Sequence, residues 1–173
     1  LPNMSRPAVG TIIQSNVRWN TMIGLSIGSL LFGQEGLALV TIAAAVMIPT
    51  ANVISVYALI AHADSPHGPA PKPLLALSRN LSALKRAGPR TLTWSLVRLL
   101  GLPALAIGFG LAFGLSGMAL TIAVICAATP TATSSYILAR ELGGDAPLAA
   151  NLIAVQTVLA MLTLPLLYLL VSG

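Results

Sequence analysis

Acidic side chains are almost missing from this sequence: four Asp and Glu stand against nine Lys and Arg in 173 residues, and charged residues make up only 8%. A water-soluble domain carries about a quarter charged residues, so there are too few here to cover a surface facing water. With one cysteine, a disulfide framework is excluded. Aromatic residues are also sparse, at 5%. Disorder is excluded by the opposite excess, since 56% of residues are hydrophobic and the mean hydropathy is +0.89. No Walker or Rossmann glycine pattern occurs, and no histidine, cysteine or carboxylate group has metal-ligand spacing, so neither a cofactor nor a metal is expected. What remains is an all-α, polytopic membrane protein. Its net charge of +5 then reads as loop charge that sets orientation, not as a nucleic-acid surface. The chain opens Leu1-Pro2-Asn3, with neither an initiator methionine nor a signal peptide, and is expected to be part of a longer protein.

Crossing a hydrocarbon core of about 30 Å takes about 20 helical residues. On that measure the sequence predicts five crossings, at about 10–32, 37–61, 91–114, 117–139 and 146–171. The uncharged run Leu99–Ala139 is too long for one crossing and divides at Gly114-Leu115-Ser116-Gly117. Between the second and third spans lies a polar stretch, 62–90, holding Lys72, Arg79, Lys85, Arg86 and Arg90 against the single acid Asp64. Its basic bias predicts a cytoplasmic loop, with the Gly33–Gly36 turn and the C-terminus outside and the Arg140–Asp145 turn inside. Leu74–Ala87 within it is expected to form a short amphipathic surface helix. Three regions follow: residues 1–61 with two spans, the loop 62–90, and residues 91–173 with three spans.

Sliding the sequence on itself by 111 positions lays Gly33-Gln34-Glu35-Gly36 on Gly144-Asp145-Ala146-Pro147 and Trp19-Asn20 on Pro130-Thr131. Because the two turns fall on opposite sides, such a repeat would be inverted. Two polar interruptions then occupy equivalent depths. One is Gln14-Ser15-Asn16-Val17-Arg18-Trp19-Asn20-Thr21. The other, Thr129-Pro130-Thr131-Ala132-Thr133-Ser134-Ser135, sets a proline among hydroxyl side chains in mid-membrane. Proline removes a backbone donor and frees a carbonyl, and free backbone groups are costly in lipid, so these stretches should face protein or a watery cavity. Inverted repeats with broken helices are a standard construction for a transporter's central site. A simple proline kink, with Ser and Thr bonding back to their own helix, is the plainer alternative.

Three stretches resemble the auxin efflux carrier family, which includes bacterial malonate-like and auxin-like permeases. They are Gln14–Thr21 leading to Leu31-Phe32-Gly33-Gln34-Glu35-Gly36, then Ile48-Pro49-Thr50-Ala51-Asn52-Val53-Ile54-Ser55-Val56, then Ala128-Thr129-Pro130-Thr131-Ala132 through Leu138–Asp145 to Thr157 and Leu164-Pro165. In that family ten helices form two inverted repeats, and the fourth and ninth break and cross. The resemblance implies that the spans here correspond to helices 4, 5, 8, 9 and 10, with helices 1–3 and 6–7 missing and the loops joined near Asn80-Leu81. It further implies a secondary transporter of small organic anions such as dicarboxylates or auxin-like weak acids, in the bacterial inner membrane. Membrane lipid and the anion would be its partners, and coupling to protons or sodium and a homodimer both stay open.

Asn16, Asn20, Thr129, Pro130, Thr131, Thr133 and Ser134 are the substrate-binding candidates, and no catalytic residue is expected. Helix N-termini would offer backbone N–H groups to a carboxylate, and Pro130 would hold the break open. Asn20 and Thr131 should approach within roughly 3–6 Å, through one hydrogen bond or one water. Arg18 is expected at the cavity's edge, and Arg98 should snorkel toward the cytoplasmic surface, leaving no buried formal charge at the site. Cys126 reads as a buried structural thiol. Two rival classes remain: a structural membrane subunit without transport activity, and an intramembrane hydrolase using Ser116. A serine nucleophile needs a base within reach, and the only histidines, His62 and His67, lie in the loop at the other side.

Overall fold

The computed structural model describes residues 4–63 and 88–172. The proposed surface helix Leu74–Ala87 lies outside these residues. Among them every regular element is helical. Helix α1 covers Arg6–Val17 and α2 Thr21–His62; α3 spans Gly88–Ala112, with a π turn at Val97–Gly101. Helices α4 (Gly117–Ala128), α5 (Ser134–Glu141) and α6 (Ala146–Ser172) complete the chain. Among the described residues three runs are long and apolar enough to cross a membrane: Arg6–His62, Gly88–Ala112 and Ala146–Ser172.

The first of these runs is not one rod. It leaves helical geometry at residues 18–20, between α1 and α2, and it reverses at Gly33. Gly33 has φ 59° and ψ −141°, a conformation that side chains with a Cβ avoid, and the turn folds α2 into two antiparallel arms. Close approach of the arms depends on glycine as well: a Cβ at Gly36 would lie 2.3 Å from the Gly28 carbonyl oxygen. Helix α1 continues this packing toward the end of the return arm, where Gly10 rests on Ala58 and Arg6 Nη2 donates to Ala61 O at 3.0 Å. The first span therefore begins at Arg6, four residues earlier than the apolar run suggests, because Arg6 is accommodated at the helix end.

The second half repeats this order of elements. Helix α4 is followed by a non-helical break at 129–133, by α5, by a turn with Gly143 at φ 72°, and by the long helix α6. The halves interlock at three small cores. Trp19, Val40 and Ala44 meet Ile122 and Cys126; Ala8 and Ile12 meet Leu148 and Leu152; Leu59 meets Ala139 and Ala149. Asp145 ties the turn to α1, its amide donating to Thr11 Oγ1 at 2.8 Å while its carboxylate caps α6 at the Leu148 amide. Large apolar side chains remain on the outside, among them Leu30, Phe113 and Leu162, each at least three-quarters exposed to whatever surrounds the bundle. That is the surface lipid requires and water would penalise.

Candidate functional site

Both broken helices lose backbone bonds where they stop, and the fate of each freed group defines the centre of the molecule. Pro130 has no amide proton for the Cys126 carbonyl, which accepts instead from Thr129 Oγ1 at 2.9 Å. The Asn20 amide, whose partner in a continuous helix would be Asn16 O, crosses to Pro130 O at 2.9 Å. The two breaks are thus bonded backbone to backbone. Ser15 O accepts from the Thr131 hydroxyl, and Gln14 Nε2 donates to Ser135 O at 2.9 Å. The Thr131 amide turns away to Gln156 Oε1 of α6 at 2.8 Å; the same oxygen lies 2.7 Å from the Thr131 hydroxyl. Two further carbonyls, Asn16 O and Thr129 O, both accept from the guanidinium of Arg98, the second at 3.2 Å.

Arg98 corrects the sequence expectation. It does not snorkel: it is 1% exposed, held by the ends of two half-helices. A positive charge at this depth is costly unless paired. Each helix C-terminus carries the equivalent of about half a negative charge, so the ends of α1 and α4 together balance about one guanidinium. Hence the crossing behind the cavity holds a buried formal charge.

On the opposite side of the crossing, where α2 and α5 begin, lies a cavity of about 220 Å³. Arg18, Asn20, Asn52, Thr133 and Ser134 are its polar lining, with Trp19, Met22 and Ile48 among its walls. Arg18 is half-buried, donating through Nη1 to Asn52 Oδ1 at 2.7 Å and through Nη2 to Ser134 Oγ at 2.8 Å; its Nε has no protein partner. Asn20 caps α2, its side-chain oxygen accepting from the Ile23 amide at 3.2 Å. Two helix N-termini and one guanidinium converge with no carboxylate among the lining residues. The local field favours an anion.

The seven sequence candidates divide between these two layers. Asn20, Thr133 and Ser134 line the cavity. Thr129, Pro130 and Thr131 are buried behind it and hold the crossing together, while Asn16 donates through Nδ2 to Ile12 O of its own helix. Asn20 and Thr131 belong to breaks that touch, through the Asn20 amide and Pro130. Three participants were not singled out from sequence as site residues, Asn52 in the cavity and Arg98 and Gln156 behind it, while Arg18 was expected only at the cavity's edge. For Asn52 and Gln156 a signal existed, since each is an amide inside a long apolar run. As for the serine-nucleophile alternative, His62 is bonded through Nδ1 to Ala58 O at 2.8 Å at the end of α2, and Ser116 opens α4. Cys126 is buried, packed against Trp19 and Val40.

Compared with known proteins, the chain matches one family model, that of the membrane transport proteins, over residues 19–168. No curated protein and no solved structure matches it.

Proposed function

The chain belongs to the auxin efflux carrier family of membrane transport proteins, and from that premise we propose that it carries small organic anions, dicarboxylates or auxin-like weak acids, across a bacterial inner membrane. A transporter family, not an enzyme family, is what the match identifies. The observation that supports the anion is the cavity at residues 18–22 and 132–134, where Arg18 stands beside the first turns of α2 and α5. A carboxylate entering there meets Arg18 and the positive ends of α2 and α5, and Asn20, Thr133 and Ser134 add neutral polar contacts. In this reading the five apolar passes, counting α1 with the first arm of α2 as one, the return arm of α2 separately, and α4 with α5 as one, correspond to helices 4, 5, 8, 9 and 10 of two inverted repeats. The matching order of half-helix, break, half-helix, turn and long helix in both halves supports it. Alternating access would then rock one half against the other about the crossed breaks.

Arg18→Gln tests the proposal in proteoliposomes by uptake of radiolabelled malonate and indole-3-acetate. Removing a charged donor is worth about 1.5–3 kcal/mol, or roughly 10- to 150-fold in affinity. Arg18→Lys should retain part of the uptake. Wild-type uptake by Arg18→Gln, or equal uptake of malonate and its neutral diamide by the unmodified protein, would sink the anion reading. Arg18 is a better probe than Asn20, whose replacement also removes the cap of α2.

A further inference from the structure

Carriers built on discontinuous helices commonly use half-helix C-terminal ends and unwound carbonyls to coordinate a mobile coupling cation. Here that position is occupied by the protein itself. Asn16 O, from the last turn of α1, and Thr129 O, just past the end of α4, both accept from Arg98, which reaches them from α3. The acceptors are backbone oxygens at two negative helix ends, the environment of a bound cation. The side chain is 1% exposed; its two Nη atoms make these bonds and its Nε has no protein partner. Its helix is also adapted to deliver it. The widened π turn Val97–Gly101 ends two residues before Pro103, which lacks the amide proton that Leu99 O would accept.

We propose that Arg98 is a resident cation: its guanidinium fills the coupling-ion position between the two half-helix C-termini, fixes the crossing, and leaves the carrier with no metal cation to bind there. Arg98 is in these terms a positioning residue, because it touches the breaks and not the cavity lining. Unlike a sodium ion, it cannot leave, so the crossing keeps its charge balance in every state of the transport cycle. The inference rests on reading the crossing as the translocation centre, but its test follows the cation dependence of stability and uses no substrate. It can therefore fail while the anion reading stands, and the reverse.

The experiment is thermal unfolding of the detergent-solubilised chain in choline chloride, titrated with sodium chloride at constant ionic strength. The wild type should melt at the same temperature throughout. Arg98→Lys, which keeps a cation but loses the planar fork, should melt above Arg98→Gln, which keeps length and a donor but loses the charge. Arg98→Gln should fall by roughly 5–10 °C, at about 2–4 °C per kcal/mol for a chain of this size, and guanidinium or sodium at millimolar levels should restore part of that loss relative to choline. Saturable stabilisation of the wild type by sodium would overturn the proposal. So would Arg98→Gln melting at or above Arg98→Lys, because a purely hydrogen-bonding role would not depend on charge. If Arg98→Gln does not fold, the wild-type titration still decides the point.

Discussion

Gln156 gives the sharpest test of how the second break is held. It is fully buried in α6, and its Oε1 is the acceptor for the Thr131 amide at 2.8 Å. Gln156→Leu keeps nearly the same volume and deletes that acceptor. The Thr131 hydroxyl retains Ser15 O, so only the amide is orphaned. Its helical acceptor, Ala127 O, is out of play because the chain has left helical geometry at 129–133. An unsatisfied buried amide costs about 1–3 kcal/mol in proteins generally. Hydrogen bonds inside membrane proteins average nearer 0.6 kcal/mol, because alternative partners are found in the unfolded reference. Here the amide's own helical alternative is removed by the break, so the larger figure applies to it, offset in part because the substitution also removes Gln156 Nε2, a buried donor without a protein partner. A net loss of about 1 kcal/mol corresponds to roughly 2–4 °C in melting temperature. Thermal unfolding in detergent measures it, with Thr157→Val as the control. The Thr157 hydroxyl bonds only to Ile153 O of its own helix on the exposed face, and its loss should change nothing. If Gln156→Leu melts with the wild type or above it, the accounting of backbone groups at the break is wrong.

Gly36→Ala should be more disruptive than a methyl at Gly24 or Gly28, because its Cβ would meet the Gly28 carbonyl at 2.3 Å, a backbone atom that cannot rotate away, whereas theirs meet side chains first. Overpacking of this kind costs about 1–3 kcal/mol, read as a lower melting temperature, and an unchanged melt would show that the arms separate freely. Orientation is checked by labelling Ser65→Cys and Ser172→Cys in intact cells with an impermeant thiol reagent. The basic bias of 62–90 predicts a protected position 65 and a reactive position 172, and the opposite pattern would invert the protein.

How much of this was legible in the sequence depends on whether the signal was local. The second break was, because Pro130 deletes a donor at a fixed position and hydroxyl side chains surround it. The reversal at Gly33 was legible from the Gly-Gln-Glu-Gly turn between two apolar runs. The first break carries no proline; it was visible only as a polar patch, and its physical cause lies elsewhere, in the Asn20 amide bonding to Pro130. Arg98 was misplaced for the same reason. A lone arginine near a span's end normally reaches for the headgroups, and nothing in its neighbours reveals that carbonyls 82 and 31 residues away stand open for it. Those carbonyls are open because each helix stops, α4 at Pro130 and α1 where the second break supplies partners to Ser15 O and the Asn20 amide. The polarity of the centre follows from that arrest. Where α1 and α4 end, two negative helix termini enclose a fixed guanidinium; where α2 and α5 begin, two positive termini and Arg18 face a cavity without an acid. One pole of the crossing is thereby closed by the protein's own cation, and the other is left for a ligand of negative charge.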